Sequence, residues 1–319
     1  MASAKGPNPS IITVDCHYMG PRRCSAYLIL EGDTAVFVDN NTKRAVPKLL
    51  SPLKHCGYTP EQVSYAIVTH CHLDHAAGSA TLLKVCPNAK LVAHPKAARH
   101  LAEPSRLIAG AKMVYGDAAY EDQFGVVEPC AAERILKMED GDTLTVGSRT
   151  LTFIHTLGHA SHHMCIHDSK TGDIFAGDNF GMIYEDLQRT PKPYCFCVAT
   201  PVEFDPAASL VSLQQIIDTG AKWAYVGHYG PHKITKARVA QLKRTLERSE
   251  GIIAEAVESG LRETALHVFV AKRVKEVTEE ELEACGLAPS PKVMKWVGPD
   301  IALNTSGILA AAVQRMGPT

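Results

Sequence analysis

Three histidines and an aspartate fall within six consecutive positions of the stretch Val68-Thr69-His70-Cys71-His72-Leu73-Asp74-His75. The apolar run Tyr65–Val68, which is typical of a buried strand, leads directly into it. A turn after a strand lets side chains two and three residues apart converge on one point, and imidazole with carboxylate suits divalent ions. A solvated, histidine-rich loop is the alternative, but so dense a cluster argues against it. We therefore expect a metal site here.

Further candidate ligands follow other predicted strands. Gly158-His159, Gly177-Asp178 and Gly227-His228 each stand at the end of an apolar run. Loops at the C-terminal ends of strands can converge on one site above a rigid sheet. The sequence therefore predicts that residues distant along the chain contribute to the same site.

The Thr69–His75 motif, followed in order by His159, Asp178 and His228, resembles the signature of the metallo-β-lactamase superfamily, which includes glyoxalase II. The resemblance runs from about Asp39 to His228. It implies an α/β fold, a four-layer αββα sandwich of two mixed sheets with helices outside and metals at one edge. We expect residues 1–232 to form this metal-binding domain, and residues 233–319 to form a helical C-terminal appendage packed on it.

The resemblance also implies a dinuclear site. Its seven implied ligands are too many for one tetrahedral ion and suit two ions that share a carboxylate. A hydroxide between the two ions is then the expected nucleophile, oriented by Asp74 as the catalytic residue. Zinc is the expected metal, with iron or manganese as alternatives. The implied ligands are His70, His72 and His159 for the first ion, Asp74, His75 and His228 for the second, and Asp178 as the bridge.

Other polar residues near these motifs have weaker assignments. Asp39 ends a predicted strand, but Asn40-Asn41 follows where the superfamily usually has a small residue and glycine, so we expect only a structural hydrogen-bonding role near the site. His155 and His163 are candidates for holding ligand imidazoles in place or for purely structural roles. The proline-containing loop after Asp178 either binds substrate or covers the core, and its candidate residues are Tyr184, Arg189, Lys192 and Tyr194.

The composition of the chain indicates which classes of binding partner to expect. The 319 residues carry a formal net charge of -1 with no block of Lys or Arg, so nucleic acid is not an expected partner. The chain has neither an apolar run of about 18 residues nor the apolar segment of a signal peptide, so we expect a cytoplasmic protein without a membrane span. The expected partner is a small-molecule substrate, and a homo-oligomer is compatible with the sequence.

Ten cysteines without secretory context indicate reduced, mostly buried thiols. Alternation along the chain turns Cys71 away from the point where His70 and His72 meet. Cys195-Phe196-Cys197 is interpreted as structural, because an isolated Cys-x-Cys pair is a weak signal for metal or redox chemistry.

The coarse pattern predicts a helix at Lys43–His55 interrupted by Pro52, and another from Ala76 to Val85 that begins at the metal site. Near the C-terminus it predicts a capping box at Thr278-Glu279-Glu280-Glu281 and a helix from Ile301 to Met316.

The sequence is compatible with two functions. The first is a metal-dependent hydrolase of a thioester, ester or related small molecule, similar to glyoxalase II. The second is an iron-dependent oxygen-handling protein, similar to diiron oxygen or nitric oxide reductases or to persulfide dioxygenases. The reductases usually carry Glu in place of His72 and a flavodoxin domain, for which the chain after His228 is too short. The dioxygenases share a run very like Thr69–His75, but their chains are shorter.

Overall fold

The computed structural model describes residues 7–190 and 192–317, which form twelve strands and ten α-helices. The strands are β1 (Ile11–Asp15), β2 (Ser25–Glu31), β3 (Thr34–Val38), β4 (Val63–Ile67), β5 (Lys90–Ala93), β6 (Ile135–Lys137), β7 (Thr143–Val146), β8 (Arg149–His155), β9 (Met164–Asp168), β10 (Asp173–Gly177), β11 (Trp223–Val226) and β12 (Gly230–Lys233). The helices are α1 (Val46–His55), α2 (Leu73–Ala76), α3 (Ser79–Val85), α4 (Pro95–Ala102), α5 (Ser105–Tyr115), α6 (Asp117–Gln123), α7 (Pro206–Asp218), α8 (Lys236–Glu258), α9 (Glu263–Ala284) and α10 (Pro291–Met316).

Contacts divide the chain into two compact units. The first comprises Met1–His155, His162–Gly177 and Asp218–Lys233, and the second comprises Thr156–Ser161, Asp178–Ile217 and Ile234–Thr319. The predicted domain division after residue 232 stays a prediction.

The first unit contains two six-stranded sheets, in the orders β1-β2-β3-β4-β5-β6 and β12-β11-β10-β9-β8-β7. In the first sheet, β1 to β3 are antiparallel and β3 to β6 are parallel. In the second, only β10 and β11 are parallel. The predicted pair of mixed sheets is therefore confirmed.

Apolar residues on both faces of the first sheet explain its buried position. One face, with Tyr27, Ile29 and Val36, packs against Phe153 and Phe175 of the second sheet. The alternate residues belong to a second core with the helices on the outer side, among them Leu28, Phe37, Leu49, Leu82 and Ala97. Because strand side chains alternate between faces, near-continuous apolar runs produce a sheet covered on both sides.

Two helix boundaries in the first unit differ from the prediction. The helix expected from Ala76 to Val85 is not continuous: α2 ends at Ala76 and α3 begins at Ser79. Between them the chain passes close to Asn40, where a Cβ on Gly78 would lie 2.9 Å from the carbonyl oxygen. Pro52 does not interrupt α1, which continues through it to His55. The sequence pattern also missed β12, which pairs with β11.

The second unit is mainly helical. Its helix α7 begins after Asp205, whose Oδ1 accepts hydrogen bonds from the backbone nitrogens of Ala207 and Ala208 at 2.9 and 3.1 Å. The loop before it is fixed by two buried amides: Gln241 of α8 accepts from Cys195 N at 2.9 Å, and Asn304 of α10 accepts from Ala199 N at 2.8 Å. Helices α8, α9 and α10 contact one another.

Two predictions for this unit were wrong. Thr278 is not a helix cap but lies inside α9, where its hydroxyl donates to the Val274 carbonyl at 2.8 Å. The buried residues Leu266, Val270 and Val274 lead up to it, and this buried face outweighs the local capping signature. Helix α10 begins at Pro291, ten residues before the predicted start at Ile301, after Ser290 caps it.

Candidate metal centre

The end of β4 delivers the ligand stretch, and buried hydrogen bonds fix its imidazoles. The Thr69 hydroxyl donates to the carboxylate of Asp39 at 3.0 Å, so it accepts from His70 Nδ1, which is also 3.0 Å away. His228 Nδ1 lies 3.0 Å from the carbonyl oxygen of Arg23, to which it can only donate. In both rings the proton on Nδ1 leaves the Nε2 lone pair for a metal.

Asp39 organises this segment. One oxygen accepts from Thr69 N at 2.8 Å, and the other lies 2.9 Å from His75 Nδ1. The residue adopts a φ of +58°, in the left-handed region that aspartate tolerates better than most residues. The predicted role as a hydrogen-bonding residue near the site is confirmed.

The candidate ligands of the first unit lie close together. The ring centroid of His70 lies 4.6 Å from that of His72 and 4.1 Å from that of His75. Asp74 Oδ2 lies 3.7 Å from His75 Nε2 and 3.5 Å from His228 Nε2. His70 and His75 are fully buried, whereas the side chain of Asp74 is 22% exposed. This set of imidazole nitrogens and a carboxylate oxygen fits a divalent transition metal.

A cysteine that the sequence pattern did not single out joins this group. One ligand atom each from Cys24, Asp74, His75 and His228 lies within 4.8 Å of the others. Nothing in the local sequence around Cys24 signals this position. Cys71 is buried in the core beneath the first sheet, which agrees with the prediction that it turns away from the ligands.

The second unit holds the two remaining predicted ligands next to each other. His159 Nε2 lies 3.5 Å from Asp178 Oδ2, and both residues are buried. His159 Nδ1 donates to the Val198 carbonyl at 3.1 Å, which again leaves the lone pair on Nε2. Gly158 has a φ of +108°, and a Cβ there would lie 2.2 Å from Ser209 N, so this turn requires glycine.

The two other candidate histidines, His163 and His155, have different neighbours. His163 is buried with its ring 5.0 Å from that of the candidate ligand His70. His155 instead bonds the Met138 carbonyl at 2.9 Å and packs against His94 at 4.0 Å. Burial, with His155 and His162 nearby, lowers the pKa of His94 to about 4, so this ring is neutral at physiological pH.

The loop after Asp178 packs its aromatic residues into the second unit. Tyr184 donates to Asp300 Oδ1 at 3.0 Å, and Tyr194 is almost fully buried, which favours the interpretation that these residues cover a core. Arg189 and Lys192 are exposed. The Cys195 thiol bonds Gln241 at 3.2 Å and belongs to the same core, in agreement with a structural role.

None of the described helices has both the length and the apolar character needed to cross a membrane.

Comparison with known proteins assigns the family. The sequence model of the metallo-beta-lactamase superfamily matches residues 19–228, a range that includes every predicted ligand. The chain belongs to this superfamily. A solved archaeal superfamily protein from Sulfolobus tokodaii has a TM-score of 0.64 at 18% identity, covering 95% of this chain and 99% of that one. A family protein from Thermus thermophilus has a TM-score of 0.65 at 20% identity, with 97% and 95% covered.

Curated relatives of this superfamily member include two named thioesterases. The acyl-coenzyme A thioesterase MBLAC2 of Gallus gallus is 26% identical over 54% of this chain and 57% of its own length. An atrochrysone carboxyl ACP thioesterase of Pseudocercospora fijiensis is 23% identical over 71% of this chain and 55% of its own. The chain therefore spans little more than half the length of these two enzymes.

Proposed function

We propose that this protein is a metal-dependent hydrolase that cleaves thioesters. The observation that carries the proposal is the convergence of Asp74, His75 and His228, beside His70 and His72, within a metallo-β-lactamase fold. The names of two relatives, both thioesterases, support the thioester as the substrate class.

The proposed centre holds two divalent ions, with zinc as the expected metal. When bound, they would polarise the thioester carbonyl and lower the pKa of the attacking water. The assignment of His159 and Asp178 to this centre rests on the order of their motifs along the chain. The proposed ligands are His70, His72 and His159 for the first ion, Asp74, His75 and His228 for the second, and Asp178 between them.

The chain's own residues have distinct tasks in this proposal. Asp74 is partly exposed, so its carboxylate can accept a hydrogen bond from the attacking water and orient it toward the carbonyl carbon. Asp39 and Thr69 hold the imidazoles of His75 and His70 in one tautomer. Fixed ligands of this kind need no rearrangement during the reaction.

The basic residues Lys272, Arg273 and Lys275 lie together on α9, but we do not propose that they bind a glutathione moiety. These side chains form ion pairs with glutamates of the same unit, namely Glu276, Glu255 and Glu279. Their charges are therefore already compensated.

The test is to load the protein separately with zinc and with ferrous iron. Each form is assayed for cleavage of acyl-coenzyme A thioesters, and for oxygen uptake with glutathione persulfide. We expect thioester cleavage by the zinc form, and its loss in Asp74→Ala and His228→Ala. His267→Ala, which changes an exposed histidine of α9, is the matched control and should retain activity. Oxygen uptake by the iron form alone, with no cleavage by either form, would contradict the proposal.

A further inference from the structure

We propose that Cys24 is a thiolate ligand of the second ion, together with Asp74, His75 and His228. The inference rests on the proposed metal centre but not on the reaction catalysed there. It adds a sulfur donor to a site in which the sequence motifs place only nitrogen and oxygen.

The position of the thiol carries the inference. Cys24 is 1% exposed, and its Sγ lies 3.4 Å from the backbone carbonyl oxygen of Asp74. One ligand atom from each of Cys24, Asp74, His75 and His228 lies within 4.8 Å of the other three. In a tetrahedral zinc site, metal–sulfur bonds of about 2.3 Å and metal–nitrogen bonds of about 2.0 Å place the donors roughly 3.5 Å apart. Side-chain rotations would have to bring the four donor atoms from separations of up to 4.8 Å to about 3.5 Å.

The backbone around Cys24 is fixed against the ligand-bearing end of β11. Arg23, which precedes Cys24, accepts the Nδ1 proton of His228 through its carbonyl oxygen. Ser25, which follows Cys24, donates its backbone N–H to the Gly227 carbonyl at 2.8 Å and its hydroxyl to the Val226 carbonyl at 2.9 Å. Cys24 is therefore held beside His228 by bonds on both sides of it.

The donor set has three chemical consequences. With Asp178 as the bridge, Cys24 would give the second ion five protein ligands, against four for the first. The second ion would then be the more closed of the two, and the first the more open to substrate. A thiolate also favours borderline and soft ions such as zinc, cobalt and cadmium over the harder manganese. Binding would release the thiol proton to solvent. The competing interpretation is that the thiol only donates a hydrogen bond to the Asp74 carbonyl.

Cobalt titration of the full-length protein tests the assignment, because thiolate bound to Co²⁺ gives a charge-transfer band in the near ultraviolet that imidazole and carboxylate do not give. We expect this band in the wild type, and its absence in Cys24→Ser. Cys16→Ser is the matched control, because Cys16 is equally buried and its backbone nitrogen bonds the Cys24 carbonyl at 3.0 Å. This control should keep the band.

Two further measurements make the test decisive. The Cys24→Ser variant should bind cadmium at least about tenfold more weakly than the wild type, because loss of a residue that only supports a ligand already costs about that much. Its affinity for manganese should change little. X-ray absorption of the zinc-loaded wild type should show a sulfur neighbour at about 2.3 Å, a result that does not depend on a variant that folds.

The outcomes separate the two proposals. Two bound cobalt ions without a sulfur band or a sulfur neighbour would overturn the role of Cys24 and leave the hydrolase proposal standing. Failure to bind cobalt at all would overturn the metal centre itself, and the role of Cys24 with it.

Discussion

The two ends of strand β2 bury polar groups in opposite ways. The strand runs for seven residues from Ser25 to Glu31, about 23 Å at the usual rise per residue. At its far end, Glu31 accepts from buried Arg149 at 2.9 Å and from Lys170 at 2.8 Å, and Arg149 also bonds buried Asp168. At its near end, Cys24 precedes the strand and lies within the group of candidate metal ligands.

The difference lies in what supplies the positive charge. At the Glu31 end the chain itself brings cations to the carboxylates, so burial is compensated by ion pairs and hydrogen bonds. At the Cys24 end the converging groups of Asp74, His75 and His228 are all electron-pair donors of the kind that bind metals. The first end is therefore expected to stabilise the fold, and the second to bind a cation. Each of the following changes tests that division.

The largest effect on stability is expected from Arg149→Met. Removing this fully buried cation leaves buried Asp168 without its ion-pair partner and takes one of several partners from buried Glu31, which should cost about 3–5 kcal/mol of unfolding free energy. Chemical denaturation measures the change, and metal content per folded protein should stay as in the wild type. Arg273→Met, which removes a partly exposed cation of α9, is the control and should cost less than about 1 kcal/mol. Equal losses in the two variants would contradict the structural role of the buried network.

At the other end, Asp39→Asn should act on metal binding more than on folding. An amide cannot accept as strongly from His75 Nδ1 and Thr69, so the imidazoles lose their fixed tautomer. We expect a loss of about 10- to 100-fold in metal affinity and in thioester cleavage. Competition with a chromophoric chelator measures the affinity. An unchanged affinity would show that Asp39 positions only the backbone.

Acid should affect the Glu31 end through a specific pH window. Burial alone would raise the pKa of Glu31, but hydrogen bonds from Lys170, Ser148 and Arg149 outweigh burial and lower the pKa to about 2. A carboxyl whose pKa is lower in the folded than in the unfolded state stabilises the fold above the unfolded value, here 4.5, and this contribution is lost as the pH falls toward 2. Melting temperatures between pH 6 and about pH 2.5 should therefore fall more steeply for the wild type than for Glu31→Gln. Parallel curves for the two proteins would assign the acid sensitivity to other carboxyl groups.

The smallest effect is expected from Lys170→Met. Its ammonium group bonds Glu31, but the side chain is 45% exposed, so water screens the pair. The unfolding free energy should fall by less than about 1 kcal/mol. A loss as large as that of Arg149→Met would show that burial does not separate the members of this network.

The sequence by itself determined the elements whose signals are local. The candidate ligand stretch Thr69–His75 was recognisable because its closely spaced histidines and aspartate follow an apolar strand. Asp39 was placed near the site through the resemblance to the superfamily. The near-continuous apolar runs of β2 and β3 and the alternating apolar residues of β8 are typical of strands, and the structure has strands at these positions. Two mixed sheets were expected from the resemblance to the superfamily, and they are present.

Tertiary structure decided the features that depend on residues far apart in the chain. Cys24 lies beside His228 because Ser25 bonds the Val226 and Gly227 carbonyls, and no local pattern encodes that contact. The carbonyls of Arg23 and Val198 hold the imidazoles of the candidate ligands His228 and His159, but a backbone acceptor has no side-chain signature in a sequence. Thr278 carries the local signature of a cap, yet the buried face of α9 continues through it, because packing an apolar face stabilises a helix more than one capping bond does.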